Sequence, residues 1–216
     1  MNKKIYSKTC EFNNDLLTPI AAYLKLNQPD AFFLESVEKG HAIGQFSIIG
    51  FDPLIRVQGY NQYMSKIEGD DQLVIDGNPL DCLKKLYQQI DHIQEEDSPI
   101  KLGFFGHFCW EVIQSIESVN IKNADGPIFD FQIPKMLIVF DHAQQTVSIT
   151  QSDSKPITSV KNIEALFNSI KQPLSNTVKA SISKPVEMDW DKVDFKWSKD
   201  GYENAVLKIK EHIKEG

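Results

Sequence analysis

Two segments in the first quarter of the chain carry polar side chains at the ends of apolar runs. Residues 32–36 read Phe-Phe-Leu-Glu-Ser, and residues 44–47, Gly-Gln-Phe-Ser, open a second run of strand character. If the two runs pair as strands, these polar ends lie together. A carboxylate such as Glu35 can bind an α-ammonium group, while a hydroxyl and strand-end N–H groups can bind a carboxylate. The pattern therefore predicts a pocket for a small zwitterion.

Turn chemistry is the alternative explanation for Glu35 and Ser36, because Ser and Glu are common where a strand ends in a turn. Elsewhere the chain has no P-loop, dinucleotide-binding motif, nucleophile elbow or Cys-x-x-Cys. The pair Asp125 and Asp130 is interpreted as surface carboxylates. His107 lies in an apolar run and is interpreted as a buried side chain. We predict no catalytic residue in this chain.

Composition limits the classes of function. The net charge of −7 argues against nucleic-acid binding, which depends on clustered Lys and Arg. No signal peptide and no apolar stretch of about 18 residues is present, so we expect a cytoplasmic protein with no membrane contact. The 3 cysteines and 5 histidines are scattered without metal-ligand spacing, which predicts neither a disulfide framework nor a metal site.

Local signals predict the order of the elements. Residues 1–12 form a weak strand, and Thr18-Pro19 caps a helix that runs through Leu26. Asn78-Pro79 begins a helix of about four turns that includes Ile90 and Ile93. Runs rich in Ile, Val, Phe and Tyr predict strands at 31–35, 45–50, 53–59, 60–67, 72–76, 101–110, 135–141 and 145–151. Such short sequential strands predict an α+β fold with a largely antiparallel sheet in two layers with helices.

The C-terminal part divides into three predicted segments. A helix with Val160, Ile163, Leu166, Phe167 and Ile170 on one face ends at Pro173 and completes a domain over residues 1–171. Residues 172–197 predict a linker. Residues 198–216 predict a helix in which Asp200 is the N-cap and Glu203 closes a capping box. This last helix either packs on the sheet or opens a further domain.

Three blocks in the correct order resemble one enzyme family. They are residues 18–26 (Thr-Pro-Ile-Ala-Ala-Tyr-Leu-Lys-Leu), residues 33–38 (Phe-Leu-Glu-Ser-Val-Glu), and Gly44 to Gly50 followed by Asp52-Pro53. Together they are similar to the N-terminal signature of component I of anthranilate synthase. A glycine-rich strand, an aromatic residue and a short helix ending on an acid also fit, at Gly103, Gly106, Trp110, Val112 and Glu117.

The resemblance implies a regulatory site for L-tryptophan, with Ser36 as the best-matched ligand residue. The other implied ligand residues are Leu34, Glu35, Ile43, Gly44, Gln45 and Phe46. The family commonly has Arg at the position of Gln45 and at that of Gln114. Residues 1–171 then correspond to the family's N-terminal domain, and residues 198–216 to the first helix of its chorismate-binding domain.

The family's activity follows as an expectation. Component I converts chorismate and ammonia to anthranilate and pyruvate, with ammonia delivered by a glutamine amidotransferase, component II. Mg²⁺ is implied for the full-length enzyme, with its ligands and the catalytic residues outside this chain, so the chain alone is expected to be inactive. Two alternatives remain at this stage: component I of aminodeoxychorismate synthase, and a free-standing amino-acid-binding module.

Overall fold

The computed structural model describes residues 2–14, 16–35, 44–94, 96, 98–119, 121, 125–172 and 196–215. The chain separates into two compact units, Met1–Ser175 and Asn176–Gly216. The strands of the first unit are β1 (Lys3–Asn13), β2 (Phe32–Glu35), β3 (Phe46–Gly59), β4 (Tyr63–Glu68), β5 (Asp71–Asp76), β6 (Ile90–Gln94), β7 (Phe105–Phe108), β8 (Phe129–Asp141) and β9 (Thr146–Asp153). Its helices are α1 (Pro19–Leu26), α2 (Pro79–Gln88), a 3₁₀ helix (Trp110–Ser115) and α3 (Lys161–Lys171).

One nine-stranded sheet organises the first unit, with the order β5-β4-β3-β8-β9-β1-β6; β2 also pairs with β3, and β7 with β8. Every pairing is antiparallel except that of β1 with β6. Helices pack against this largely antiparallel sheet. The predicted α+β fold is confirmed.

The long strands β3 and β8 pair along almost their whole length and share an irregularity near their middle. Pro53 lies opposite Pro134, the register shifts between Pro53 and Ile55, and Asp52 has a φ of 54°. Proline has no N–H to contribute to a sheet, so prolines in strands are favoured beside such irregularities in the pairing. The sequence predicted separate strands at 45–50 and 53–59; that division is wrong.

Two apolar clusters form the core. One packs α2 against the sheet, and its fully buried members include Ile5, Ile55, Val57, Met64, Phe129 and Ile133. The other packs α1 and α3 against the sheet around Ile49, Ile138, Ile149, Ile163 and Ile170. The α3 face predicted from spacing therefore lies in the core, with Ile163, Phe167 and Ile170 buried.

Helix starts follow their local signals. Thr18 Oγ1 accepts a hydrogen bond from the Ala21 N–H at 3.2 Å, and Pro19 is the first residue of α1. Asn78 Oδ1 accepts from the Leu80 N–H at 3.0 Å at the start of α2. These caps satisfy N–H groups that have no partner inside a helix. Both predicted starts are confirmed.

Three predicted boundaries are wrong. The helix predicted to include Ile90 and Ile93 ends at Gln88, and both isoleucines belong to β6, which pairs with β1. Apolar residues three apart fit a helix face, but pairing with a distant strand decided their structure. The strand predicted at 101–110 is β7, Phe105–Phe108, followed by the 3₁₀ helix. The strand predicted at 60–67 begins at Tyr63.

The second unit contains α4, Lys199–Glu215. Its first turn is capped by Ser198, whose Oγ accepts from the Gly201 N–H at 3.1 Å, so the predicted N-cap Asp200 is wrong. The apolar stripe of α4 is exposed at Tyr202, Val206, Ile209 and Ile213. Most of the predicted linker, residues 173–195, lies outside the described residues. Within the described part of the chain, no helix is long and apolar enough to span a membrane.

Candidate ligand-binding site at the ends of β2 and β3

The predicted pairing of the two motif segments is present. Strands β2 and β3 run antiparallel, with Glu35 opposite Ser47 and Leu34 opposite Ile48. Gly44 and Gln45 lead directly into β3, so they lie at the same end of the strand pair as Glu35. Ser36 and Ile43, which the resemblance places in the site, lie outside the described residues.

The two faces of the sheet divide the candidate residues. Opposite residues of an antiparallel pair share a face, and successive residues alternate. Glu35 therefore shares a face with Ser47 and Phe33, whose ring stacks on Tyr23 of α1 at 5.6 Å. Leu34 shares the other face with Ile48. Both Leu34, which is 43% exposed, and Glu35 are open to solvent.

Sequence reasoning missed a polar network beside these residues. Ser47 Oγ and His142 Nε2 lie 2.8 Å apart, and the His142 backbone N–H donates to the Gln45 carbonyl at 2.9 Å. Gln45 Nε2 also donates to Asp141 Oδ2 at 3.3 Å. Strands were predicted at 135–141 and 145–151, but the position of the turn between them beside Gln45 follows from the pairing of Phe46 with Asp141.

A serine hydroxyl 2.8 Å from an imidazole is also the arrangement of a catalytic nucleophile and its general base. Two observations argue against this role. Ser47 is fully buried, so a substrate carbonyl has no approach to its hydroxyl. The Asp141 carboxylate, which a catalytic triad would use to orient the imidazole, instead accepts from the Ala143 and Gln144 N–H groups at 2.9 Å each. The network joins the start of β3 to the turn that follows β8.

Two sequence interpretations away from this site are wrong. His107, interpreted as buried, is exposed on β7. Asp130, interpreted as a surface carboxylate, has a side chain that is 17% exposed and forms an ion pair with Arg56 at 2.8 Å. Burial alone would raise the pKa of Asp130, but hydrogen bonds from Arg56 and Gln58 outweigh burial and hold that pKa below its usual value.

The described residues do not fit a metal site. Among them, no three His, Cys, Asp or Glu side chains lie close enough together to hold a metal ion. The Mg²⁺ implied by the family resemblance therefore finds no donor set in this part of the chain. No chemical step is assigned to a metal here.

Comparison with known families identifies the chain. The sequence model for the family described as chorismate binding enzyme matches residues 29–216. The chain belongs to this family. Curated relatives include anthranilate synthase component 1 of Lactococcus lactis, 26% identical over 215 residues that cover 97% of this chain and 46% of that protein. Another is anthranilate synthase component 1 of Acetivibrio thermocellus, 26% identical over 225 residues that cover 96% of this chain and 45% of that protein.

The chain is also similar to a shorter segment of a third relative and to one solved structure. Anthranilate synthase component 1 of Synechocystis is 33% identical over 111 residues, covering 50% of this chorismate-binding family member and 22% of the relative. The crystal structure of anthranilate synthase component I from Streptococcus pneumoniae has a TM-score of 0.41 and 23% identity, covering 73% of this chain and 34% of that one. The chain spans about half the length of the curated relatives that it matches along nearly its whole length.

Proposed function

We propose that this chain is the N-terminal region of an anthranilate synthase component I, and that it carries part of a site for the inhibitor L-tryptophan. The relatives from Lactococcus lactis and Acetivibrio thermocellus, which match at least 96% of this chain, carry that name. The observation that supports the regulatory part is the pairing of Glu35 with Ser47, which places the exposed Glu35 carboxylate at the same end of the strand pair as Gln45.

Each side of an amino acid has a partner in this proposal. Glu35 binds the α-ammonium group, and the Ser36 hydroxyl with nearby backbone N–H groups binds the carboxylate. Phe33, on the same face as Glu35, provides apolar contact for the indole ring, whereas Leu34 and Phe46 lie on the opposite face of the strand pair. Binding then lowers substrate affinity elsewhere in the protein through a coupling free energy, which in allosteric systems is about 1–3 kcal/mol.

Catalysis belongs to other parts of the assembled enzyme in this proposal. A longer protein would convert chorismate and ammonia to anthranilate and pyruvate, and a glutamine amidotransferase, component II, would supply the ammonia. Mg²⁺ and its ligands would also lie beyond residues 1–216. In this proposal, the chain alone contributes to inhibitor binding and does not convert chorismate.

A direct test of this division uses the 216-residue chain. It is mixed with chorismate, Mg²⁺ and ammonium, and anthranilate is followed by its fluorescence. We expect no turnover, and any sustained production of anthranilate contradicts the proposed division. Sequencing the gene past codon 216 complements the assay: a continuation matching the rest of the relatives supports the proposal, whereas a stop codon favours an amino-acid-binding module.

The regulatory part is tested on the product of the complete gene. Ser36→Ala should reduce inhibition by L-tryptophan at least about tenfold, because it removes one ligand contact. Ser154→Ala, at an exposed serine after β9, is the matched control and should leave inhibition unchanged. Equal sensitivity of the Ser36→Ala variant and the unmodified enzyme would remove Ser36 from the site. Release of aminodeoxychorismate instead of anthranilate would reassign the pathway.

A further inference from the structure

Arg56 is the only arginine in the chain, although the chain has 23 basic residues of the Lys and Arg types. It lies on β3 between Ile55 and Val57, which point into the core, so its side chain lies on the opposite face of the sheet. Arginine differs from lysine in offering five N–H donors in a planar fork. The fork suits Arg56 to binding a carboxylate through two parallel hydrogen bonds.

Three neighbouring strands bring polar groups to the same face as Arg56. Arg56 on β3 pairs with Gln132 on β8, and Gln132 pairs with Phe105 on β7. One step along the same face, Gln58 pairs with Asp130, and Asp130 with His107. Opposite residues share a face, so these six side chains form one surface.

A pocket of 230 Å³ opens on this surface. Arg56, His107 and Asp130 line it, and the turn at Pro29–Ala31 forms its rim. The rings of Phe32 and Phe105 stack at 5.3 Å and form an apolar wall. Sites for drug-sized ligands begin at about 300 Å³. This pocket therefore suits a smaller molecule, such as a single ring with one acidic group.

The hydrogen bonds of Arg56 leave donors free for a ligand. Nε donates to Asp130 Oδ1 at 3.0 Å, and Nη2 donates to Asp130 Oδ2 at 2.8 Å. Gln58 Nε2 donates to the same Oδ2 at 2.8 Å. Asp130 thus holds the guanidinium in one orientation and itself accepts hydrogen bonds from three N–H donors. Part of the Arg56 fork remains for another acceptor.

The third hydrogen bond of Arg56, to the Asp30 side chain, is long and exposed to solvent. Nη1 lies 3.4 Å from Asp30 Oδ1, which is longer than an ordinary N–H···O bond, and the Asp30 side chain is 50% exposed. The Asp30 backbone is anchored separately, because Gln132 Nε2 donates to its carbonyl at 3.1 Å. A carboxylate from outside could replace the Asp30 carboxylate without moving the turn.

We propose that this pocket binds a small aromatic carboxylate: its carboxylate displaces Asp30 from Arg56 and accepts from His107, and its ring lies against Phe32 and Phe105. Arg56 lies nine residues from Ser47 along β3, although the pocket wall at Phe32 is on the same face of β2 as Leu34. The inference goes beyond the proposed function and does not depend on it.

Binding at Arg56 can be observed directly, because the chain has one arginine. In a ¹⁵N spectrum of the whole chain, the arginine Nε–H region contains one signal, that of Arg56. Benzoate is titrated into the protein, and acetate and chloride are titrated in parallel. We expect a saturating shift with benzoate, and affinity about tenfold tighter than for acetate, because only benzoate buries a ring against Phe32 and Phe105.

Two variants separate the parts of the site. Asp30→Asn removes the competing carboxylate and should tighten benzoate binding about threefold or more. Phe105→Leu removes half of the stacked wall and should weaken it about fivefold. Lys135→Ala, at a partly exposed lysine on β8 that pairs with Asp52 at 3.1 Å, is the control and should leave affinity unchanged.

Several results overturn the proposal. A linear shift without saturation, or equal shifts with benzoate, acetate and chloride, would leave Arg56 and Asp130 as a cross-strand pair only. Weaker benzoate binding by Asp30→Asn, together with binding of benzylamine by the unmodified chain, would make this a cation site. Circular dichroism of each variant confirms that the fold is retained. No arm uses chorismate or tryptophan, so failure here leaves the proposed function untouched.

Discussion

The backbone of Gly106 on β7 lies against the carbonyl oxygen of Asp130 on β8, so closely that a methyl group on residue 106 would overlap that oxygen. The atoms in the way are backbone, which cannot move aside as a flexible side chain can. β7 is a short strand that pairs with β8 and carries Phe105 and His107 to the pocket around Arg56. A glycine at this position therefore sets the position of one pocket wall.

Gly106→Ala should lower the free energy of unfolding by about 2–4 kcal/mol, because β7 must separate from β8 to admit the methyl group. Gly103→Ala is the matched control: nothing lies within 4 Å of its added methyl group, and its effect should stay within about 0.5 kcal/mol. Urea unfolding measures both variants. Equal losses for the two glycines would contradict the role assigned to the Gly106 contact.

Because Asp130 is paired with Arg56, we expect the stability of the fold to fall at acid pH. Its pKa is lowered in the folded protein, so its contribution to stability is present above the unfolded-state pKa of about 4 and is lost as pH falls through the lower folded value. Asp130→Asn should be less stable than the unmodified chain at pH 7, and the two stabilities should converge below about pH 4.

Urea unfolding at a series of pH values measures this convergence. Asp52→Asn is the control, because Asp52 is 54% exposed and pairs with Lys135 at the surface. Its pH profile should parallel that of the unmodified chain. A constant gap between Asp130→Asn and the unmodified chain down to acid pH would rule out the ion pair as the cause.

Lys25 joins two helices. From the last turn of α1 its ammonium group donates to the carbonyls of Ile170 and Gln172 at the end of α3. Carbonyls at a helix C-terminus have no partner within the helix and attract positive charge. Lys25→Met should lower the melting temperature and cost about 1–2 kcal/mol. Lys85→Met, at an exposed position of α2, should have little effect; similar losses would discount the α3 contact.

The bond between Ser47 and His142 predicts energetic coupling near the candidate tryptophan site. Ser47 is fully buried, so its hydroxyl depends on the imidazole 2.8 Å away. A double-mutant cycle with Ser47→Ala and His142→Ala should give a coupling energy of about 1 kcal/mol in chemical unfolding. The same cycle at the exposed pair of Asn2 and Asp91, 3.0 Å apart, should give a value near zero. Additive losses at Ser47 and His142 would show that the bond contributes nothing.

Features of α1 and α2 that depend on residues close together in the chain were predicted correctly, whereas features that depend on pairing between distant strands were not. The starts of α1 and α2 were predicted because Thr18 and Asn78 bond to N–H groups two or three residues away. Ile90 and Ile93 were placed in a helix because their spacing fits a helix face, whereas pairing with β1 made them a strand. At the candidate site, the meeting of Glu35 with the start of β3 was predicted, but its neighbour His142 was not.

The sequence by itself determined the caps of α1 and α2, the α+β class and the resemblance to the chorismate-binding family, since these depend on residues close together in the chain or on the order of motifs. Only the tertiary structure decided that the single arginine meets Asp130, which lies 74 residues away along the chain. No local pattern marks that pair. It exists because β3 and β8 align along their length, and that register depends on packing across the whole sheet.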